Sequence, residues 1–475
     1  DPQGVKPFYY RHENQQLIFS SEIKGILAHG SAHPLSRDAF SLYMRCGYVP
    51  GPLTMFSGIL KLPPGHRGYF SKGMLRIEPY AFRAETDGSL PIPYPSRRAA
   101  HEGIRTALRQ SVAQQLVAER PLGICLSGGI DSGIILDCAS RVSRNPLMTF
   151  SAGFDLQDDE EGEKFNADLF LARRVAAAYG TRHHETIVAG SEIIPLLELA
   201  SIHLDEPIAN PTVIAMMKLA CEASRDVHVL LSGDGGDELF GGYPRYRTSR
   251  RIGLVRMLPR FLQPRAIRAL ETPLDRFGLF MWEKDARLAR VVSDGFLSDA
   301  HLTLFGAFWD GADRADFEAS FMDIDRRTWL VDEALLRTDK TMMAYGIEAR
   351  VPFLSRSVLA AARRIPAHHK AGIFSTKRIL RRAFRGRLPD YILDQPKRGW
   401  ISPGAKWLRR PGIRAYANEA FSASYCPATA RLFKWDGVRE LLGRHASREQ
   451  YALQGLWKIL AFQGWAAAFS KSISS

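Results

Sequence analysis

The chain has the size and composition of a globular protein with two or three domains, because 475 residues with 45% hydrophobic and 24% charged residues can form sizeable cores without disulfides. Its five cysteines include no C-x-x-C pair and no apolar run is long enough to cross a membrane, which indicates reduced cysteines in a cytoplasmic protein rather than a disulfide-rich or membrane-spanning one. The net charge of +14 makes nucleic acid a rival partner, although no nucleic-acid module is visible.

The N-terminal part has the pattern of a small antiparallel unit. Apolar and polar residues alternate over 17–22, a Pro-Pro-Gly turn follows at 63–65, and residues 68–70 are strand-like, while residues 37–45 are predicted to form a helix. Residues 86–96 contain one glycine and three prolines and are predicted to be a linker. We therefore predict two domains, 1–90 and 91–475.

A charged amphipathic helix over 97–119 is predicted to lead into the first chemical motif. Residues 122–126 are an apolar run typical of a buried parallel strand; a Ser-Gly-Gly turn follows, and then an apolar helix over 134–139. Paired glycines and a helix N-terminus offer backbone N–H groups to phosphate oxygens. The Walker lysine is absent, and a carboxylate at Asp131 beside phosphates makes chemical sense only through a metal ion.

A second strand and glycine-rich loop repeat this arrangement. Residues 149–154 are predicted to form a strand and 167–179 a helix, and the buried run 227–231 is followed by the string SGDGGDELFGGY. The carboxyl ends of parallel strands share one edge of a sheet, so Asp131 and Asp237 are expected to meet around one ion. His183 and His184 are adjacent in a predicted strand and point to opposite faces, which argues against a metal site there.

Eight arginines lie between Arg245 and Arg268, interleaved with apolar residues at roughly helical spacing. We favour a solvated face on amphipathic helices over a nucleic-acid patch. The region from 250 to 334 is helical by pattern, and its three tryptophans are predicted core residues. These are Trp282, Trp309 and Trp329.

The ordered set of motifs resembles the glutamine-dependent asparagine synthetase family, type B. The motifs are SGGIDS at 127–132, SGDGGDELFGGY at 232–243, EARVPFL at 348–354, Lys377, and Pro396 with Lys397. The resemblance implies an α/β fold, with a parallel-sheet ATP pyrophosphatase domain after a remnant of an antiparallel N-terminal-nucleophile glutaminase domain. It also implies ATP and Mg²⁺, small-molecule substrates, no nucleic-acid or membrane partner, and a homodimer as the candidate assembly.

The resemblance assigns roles to individual residues. Those implied to bind ATP and pyrophosphate are Leu126, Ser127, Gly128, Gly129, Asp131, Ser132, Ala152, Ser232 and Gly233. Asp131 and Asp237 are implied to hold the metal, and Lys377 and Lys397 to offset charge as the phosphate bond breaks. The residues implied for the substrate pocket are Asp205, Glu206, Glu348 and Arg350.

The implied reaction adenylates a carboxylate, most simply that of aspartate, and ammonia then attacks the acyl-AMP. Asp234 is the candidate base, because the tetrahedral intermediate must lose a proton before AMP departs. No cysteine lies near Asp1, so the chain as given is expected to use ammonium and not glutamine. Residues 209–212 and Asp234 depart from the family's usual pattern. Two alternatives therefore stay open: another amide product, as in lasso-peptide or β-lactam cyclases or in polysaccharide or natural-product amidation, and a tRNA-modifying ATP pyrophosphatase.

Overall fold

The computed structural model describes residues 1–30, 32–80, 92–156, 162–310, 316–396 and 399–474. Within this part of the chain no helix is both long enough and apolar enough to span a membrane. The predicted domain boundary near residue 90 and part of the predicted linker lie outside the described residues, so the division of the chain there stays a prediction.

A five-stranded parallel sheet forms the centre of the larger part of the molecule. In chain order its strands are β7 (Leu122–Cys125), β8 (Met148–Phe154), β9 (Arg182–Val188), β10 (Val229–Leu231) and β11 (Glu348–Arg350). In space the order is β11-β10-β7-β8-β9, and every neighbouring pair is parallel. The carboxyl ends of all five strands therefore lie on one edge of the sheet. The strand order reverses between β7 and β10, and sheets of this kind bind ligands at such a reversal point.

Both faces of the sheet are covered, which explains why β7 and β10 are apolar runs rather than alternating ones. On one face Ile124 and Leu231 pack with the helices Arg97–Gln115 and Ile130–Ser140. On the other face Phe150 and Leu230 pack with a second, larger core that includes the C-terminal helix Leu453–Ala468. Eleven consecutive residues of that helix, 456–466, are buried, as expected of a helix that is apolar on all sides.

The N-terminal part is antiparallel, as predicted. Its strands are β1 (Tyr9–Glu13), β2 (Gln16–Ser20), β3 (His33–Pro34), β4 (Leu60–Lys61), β5 (His66–Ser71) and β6 (Met74–Pro79). Strands β2-β1-β4 form one sheet and β5-β6 a hairpin, while β3 pairs with the C-terminal strand β12 (Ile473–Ser474). The predicted helix is present as Arg37–Cys46.

Buried ion pairs fasten the N-terminal part to the rest of the chain. Asp205 receives hydrogen bonds from Lys24 Nζ at 3.0 Å and from Lys340 Nζ at 2.5 Å. Lys61 Nζ lies 3.1 Å from Asp332 Oδ1 and 3.4 Å from Glu206 Oε2. Lys24 is partly exposed, but Lys61, Glu206 and Asp332 are almost fully excluded from water. Separating the two parts would take Lys61 away from two buried carboxylates, which is strongly destabilising.

The remaining secondary structure is helical and surrounds these sheets. The other α-helices are Ile23–Leu27, Gly162–Phe165, Ala167–Tyr179, Ile193–His203, Thr212–Ala223, Gly236–Phe240, Pro244–Arg256, Arg265–Arg268, Pro273–Met281, Asp285–Leu288, Ala300–Asp310, Phe317–Arg327, Leu336–Met343, Arg356–Arg363, Ala367–Lys370, Arg378–Ala383, Asp390–Leu393, Gly404–Trp407, Pro411–Ala420 and Trp435–Ala446. Residues Leu330–Leu335 form a π-helix, and short 3-10 turns occur at Gly190–Glu192, Arg260–Leu262, Pro352–Leu354, Pro427–Thr429 and Ser470–Ser472.

The sequence-based predictions for this region are confirmed in part. Helix Ala167–Tyr179 has the predicted bounds, and all five cysteines are free thiols. Trp309 is a buried core residue as predicted. Trp282 and Trp329 are only partly buried, and Trp329 lines the cavity described below rather than filling a core.

Candidate active site

The first phosphate-type loop follows β7 as the sequence predicts. The chain turns through residues 126–129 and enters the helix Ile130–Ser140, whose first backbone N–H groups have no acceptor within the helix itself. Ser127 Oγ and Ser132 Oγ lie 3.1 Å apart, and Ser127 N donates to Ser132 Oγ at 3.3 Å. Two hydroxyls and a helix N-terminus therefore face the same space, which is the donor set that an oligophosphate requires.

The second loop follows β10 and touches the first. Residues 232–235 lead into the short helix Gly236–Phe240, and Gly236 lies so close to Asp131 that a Cβ there would be 2.7 Å from Asp131 Oδ1. Only glycine permits this approach. The two loops are consequently brought together at the carboxyl edge of the sheet, as their positions after parallel strands predict.

A buried lysine bridges the acidic residues of the two loops. Lys377 Nζ contacts Asp131 Oδ2 and lies 2.5 Å from Asp237 Oδ1, while the Lys377 residue is only 1% exposed. Its backbone has a left-handed φ of 51° and its N–H donates to Gly241 O at 3.3 Å. A side chain at Gly242 would overlap both Asp237 and Lys377, so this glycine is needed for the contact. Asp131 and Asp237 are thus brought together on Lys377, and their predicted meeting around one ion stays a prediction.

The two carboxylates also suit a magnesium ion. Among the described residues no group of three or more His, Cys, Asp or Glu side chains could hold a metal. Mg²⁺ does not need such a cage, because it is usually bound through one or two carboxylates together with substrate phosphates and waters. Asp131 and Asp237 at the mouth of a phosphate-type loop fit that donor set.

The loops form one end of a cavity of about 410 Å³. Its wall includes ten residues of the two loops and neighbouring strands, namely Leu126, Ser127, Gly129, Asp131, Ser132, Ala152, Ser232, Gly233, Asp234 and Asp237. Residues that the sequence reasoning did not assign also line it, namely Asn210, Tyr243, Trp329, Glu333, Arg337, Thr338, Arg381 and Gln395. The cavity volume is in the range of small-molecule sites.

Asp234 lies in the wall with its carboxylate well defined by hydrogen bonds. Ser232 Oγ donates to Asp234 Oδ2 at 2.5 Å and Thr338 Oγ1 donates to the same oxygen at 2.9 Å. Burial raises the pKa of Asp234 above its usual value, although these two donors and the nearby Arg337 oppose the rise. A carboxyl group with a raised pKa that faces a cavity is suited to accepting a proton.

An ion pair between Glu333 and Arg337, which the sequence analysis did not identify, lies near Asp234. Arg337 Nε donates to Glu333 Oε1 at 2.9 Å, and Asn210 Nδ2 donates to the same oxygen at 2.7 Å. Asn210 in turn accepts from Thr212. The sequence pattern gave little indication of this pair, because a Glu and an Arg four residues apart occur on many solvated helices. Only the tertiary contact with Asn210 shows that the pair faces a cavity.

Tyr243 connects the cavity to a buried acid. Its hydroxyl donates to Glu238 Oε1 at 2.6 Å, and Trp329 Nε1 donates to the Tyr243 oxygen at 3.2 Å. Burial, together with the neighbouring charge of Asp237, raises the pKa of Glu238 to about 8. Glu238 is therefore a neutral acid over much of the pH range below 8.

Four residues predicted for the substrate pocket lie elsewhere. Asp205 and Glu206 are committed to the ion pairs and to a Met55 N–H bond that join the N-terminal part to the rest. Glu348 and Arg350 pair with each other at 2.9 Å on the edge strand β11, with Glu348 exposed. The motif order placed all four near the site, but the side chains point into an interface or to the surface, and none lines the cavity.

Two predicted site residues, Gly128 and Lys397, are not among the described residues that line the cavity. Gly128 is not part of the cavity wall, but its carbonyl accepts a hydrogen bond at 2.9 Å from Gln395 Nε2, which is in the wall. Lys397 lies outside the described residues, so its role stays a prediction.

Comparisons with known proteins agree with this architecture. The sequence matches the family described as Asparagine synthase over residues 103–467, and the Glutamine amidotransferase domain family over residues 1–81. The glutamine-hydrolyzing asparagine synthetase 1 of Bacillus subtilis is 30% identical, with 98% of this chain and 74% of that protein covered. A Mycobacterium tuberculosis protein whose name assigns it to the same group is 31% identical over 99% of this chain and 74% of its own length.

Two solved structures match this chain at low similarity. The NMN synthetase of Francisella tularensis matches with a TM-score of 0.24 and 16% identity, covering 48% of this chain and 92% of that one. The NH3-dependent NAD synthetase of Campylobacter jejuni matches with a TM-score of 0.22 and 12% identity, covering 52% and 96% of the two chains.

Proposed function

Because the chain belongs to the asparagine synthase family of ATP-dependent ligases, we propose that it adenylates the side-chain carboxylate of aspartate and transfers ammonia to it, giving asparagine, AMP and pyrophosphate. The observation that carries this proposal is the contact of Lys377 with both Asp131 and Asp237 where the two loops meet. A carboxylate is not attacked by an amine until its oxygen becomes a leaving group, and attack on the α-phosphorus of ATP achieves this.

ATP is proposed to lie across the carboxyl edge of the sheet. Its phosphates would accept hydrogen bonds from Ser127, Ser132 and the backbone N–H groups that begin the helix Ile130–Ser140. Small or apolar residues at Leu126, Ala152 and Gly233 leave room for the nucleoside at the other side of the loop. The Lys377 ammonium would lie close to the negative charge that grows as pyrophosphate departs, and such a fixed charge would stabilise the transition state.

Asp131 and Asp237 would hold Mg²⁺ against these phosphates. The ion, when bound, supplies positive charge that neutralises the oligophosphate and favours cleavage between the α and β phosphates. The chain's own contribution is to fix both carboxylates: Asp131 lies in the first turn of the helix after the first loop, and Asp237 lies in the first turn of the helix after the second. Lys377 balances the two carboxylates where they meet.

The Glu333 and Arg337 pair is proposed to bind the amino-acid head of aspartate. Glu333 would accept a hydrogen bond from the α-ammonium group. Arg337 would donate to the α-carboxylate through the guanidinium N–H groups that are not bonded to Glu333. The pair lies near Asp234 and lines the same cavity as the residues proposed to bind phosphate. An extended aspartate could therefore reach the α-phosphorus with its side-chain carboxylate.

Asp234 is proposed to be the base for the second step. Ammonia adds to the acyl-AMP as a neutral amine and becomes an ammonium group in the tetrahedral intermediate, which must lose a proton before AMP leaves. Asp234 Oδ2 is occupied by Ser232 and Thr338, and that arrangement fixes the orientation of the other oxygen. The raised pKa of the Asp234 carboxyl brings its proton affinity closer to that of the ammonium group in the tetrahedral intermediate.

ATP–pyrophosphate exchange tests the first half of the proposal directly. The assay would compare aspartate with succinate, which lacks the α-amino group, with N-acetylaspartate, and with glutamate. We expect exchange with aspartate to exceed exchange with each of the other acids by roughly 10²-fold, because a buried site built for a polar group is left with unpaired atoms when that group is missing. Exchange that is fastest with a different carboxylic acid would assign the adenylation chemistry to another amide product.

A further inference from the structure

A basic and apolar surface extends from the active-site wall, and no part of the proposed reaction uses it. Residues 239–270 contain eight arginines and no aspartate, glutamate or lysine. Arg245 is buried against Asp325, and the other seven arginines belong to the segment that runs outward from residue 247. The helix Pro244–Arg256 begins directly after Tyr243, which lines the cavity.

Large apolar side chains are exposed within this basic segment. Met257 is 81% exposed and Phe261 is 80% exposed, and Leu254, Leu258 and Leu262 are exposed as well. These five residues fall within nine positions of the chain. Single exposed apolar residues are ordinary on protein surfaces, but a contiguous group rimmed by charge marks a surface that contacts something.

A neighbouring loop enlarges the surface. Arg251 Nε donates to Ile373 O at 2.9 Å, which places the loop carrying Phe374 beside the helix Pro244–Arg256. Phe374 is 82% exposed. The pKa of Arg378 is lowered by its partial burial and by the charges of three other arginines, Arg382, Arg250 and Arg97, so several positive charges lie close together here.

The chemistry of these side chains distinguishes between three candidate partners: a second copy of the chain, a nucleic acid and a membrane. A two-fold contact with a second copy would place the same arginines against one another, which is repulsive. Nucleic acid would be attracted to the arginines, and the rings of Phe261 and Phe374 could stack on bases, but the exposed methionine and three leucines are aliphatic and would gain nothing from base stacking. Basic residues beside exposed Phe, Leu and Met side chains are typical of segments that lie in the interface of an anionic membrane.

We propose that the surface formed by residues 247–268 and Phe374 docks on an anionic lipid surface. The arginines contact the acidic headgroups, and Met257, Phe261 and Phe374 enter the boundary between headgroups and acyl chains. Since this surface begins at Tyr243 and ends three residues before Lys377, docking holds the active-site cavity close to the membrane. This goes against the sequence-based expectation that the chain has no membrane partner, and it does not depend on the identity of the amidated acid.

Co-sedimentation of the whole chain with vesicles tests the proposal. We expect binding to vesicles of phosphatidylcholine mixed with phosphatidylglycerol, weak binding to phosphatidylcholine alone, and loss of binding as salt shortens the range of the charges. The double variant Arg260→Gln/Arg265→Gln should bind about 25-fold more weakly, at about fivefold for each arginine removed. Met257→Ser/Phe261→Ser should weaken binding by roughly tenfold or more.

Matched controls come from exposed residues elsewhere on the chain. Arg414→Gln/Arg431→Gln removes the same charge, and Met74→Ser/Phe19→Ser removes comparable exposed apolar side chains from β2 and β6. Both control variants should bind vesicles as the unmodified chain does, and all four variants should keep their pyrophosphate exchange activity. Equal binding to neutral and anionic vesicles, no binding to either, or equal losses in the controls would overturn the proposal. Tight binding of RNA without vesicle binding would also overturn it.

Discussion

Replacing Asp234 by asparagine separates the two halves of the proposed reaction. Asparagine keeps the volume of the side chain, and its amide oxygen can still accept the hydrogen bonds that Ser232 and Thr338 donate to Asp234 Oδ2 at 2.5 and 2.9 Å. The loop should therefore keep its shape. What is lost is the negative charge and the ability to take up a proton.

The expected loss of rate in Asp234→Asn follows from the proposed role of the carboxylate as a general base. A positioned general base contributes roughly 10² to 10⁴ in rate, so amide formation by Asp234→Asn should fall by about 10²-fold or more, equivalent to about 2.7 kcal/mol or more of barrier. ATP–pyrophosphate exchange precedes the proton transfer, and it should stay within about threefold of the unmodified chain.

The assay measures exchange and asparagine formation on the same protein samples across a range of pH, with total ammonium adjusted at each pH so that the concentration of neutral ammonia stays constant. In the unmodified chain, amide formation should decline as pH falls through the raised pKa of Asp234, because only the ionised carboxylate is a base. That decline should vanish in Asp234→Asn. Asp226→Asn, a change of the same kind at a partly exposed acid shortly before β10, should leave both activities unaltered.

Two results would refute this reasoning. If amide formation in Asp234→Asn stays close to that of the unmodified chain, Asp234 takes no part in the chemistry. If exchange and amide formation fall together, the side chain shapes the loop, as aspartates often do by accepting backbone N–H bonds in turns.

Three further outcomes are expected. Asp131→Asn or Asp237→Asn should lower exchange by roughly 10²-fold or more in a chain that still folds, because Lys377 keeps one carboxylate partner in either variant, and full exchange activity in both would remove the shared metal site. Glu333→Gln should raise the KM for aspartate by about tenfold or more while the KM for ATP stays constant, and equal rises in both would argue against a substrate contact. Glu238 has a pKa of about 8 in the folded chain against 4.5 in a model compound, so the folded state holds a proton that the unfolded state has lost between these values. Stability should therefore fall as pH rises through that window, by at most about 1.4 kcal/mol per pH unit, and urea unfolding of Glu238→Gln should show a flatter dependence.

The parts of the site that follow strands could be predicted from the sequence. An apolar run that ends in a Ser-Gly-Gly or Ser-Gly-Asp turn identifies the end of a buried strand, and parallel strands put such ends on one edge. The meeting of Asp131 and Asp237 follows from that rule without any knowledge of side-chain geometry. Lys377, in contrast, was placed through the resemblance, because nothing local in a basic helix marks one lysine as buried.

The substrate side of the cavity was not predictable in the same way. Asp205 and Glu206 form an acidic pair before a proline, which is a suggestive string, yet their charges are balanced by lysines more than a hundred residues away in sequence. Conversely, Glu333 and Arg337 have the spacing of an ordinary solvated helix pair. Periodicity shows which residues share a face, but only tertiary packing decides whether that face meets an interface, a cavity or water.

One helical irregularity explains how the substrate side is assembled. Residues Leu330–Leu335 are π-helical and continue into the α-helix Leu336–Met343. A π-turn inserts an extra residue into a helix, so it changes which side chains the two flanking stretches present on one face. Glu333 lies in the π-helical segment and Thr338 in the α-helix that continues from it, and both line the cavity together with Arg337. The proposed holder of the substrate head and the hydroxyl that orients Asp234 are thus fixed by one rigid element, so the distance between the bound acid and its base is set before any ligand arrives.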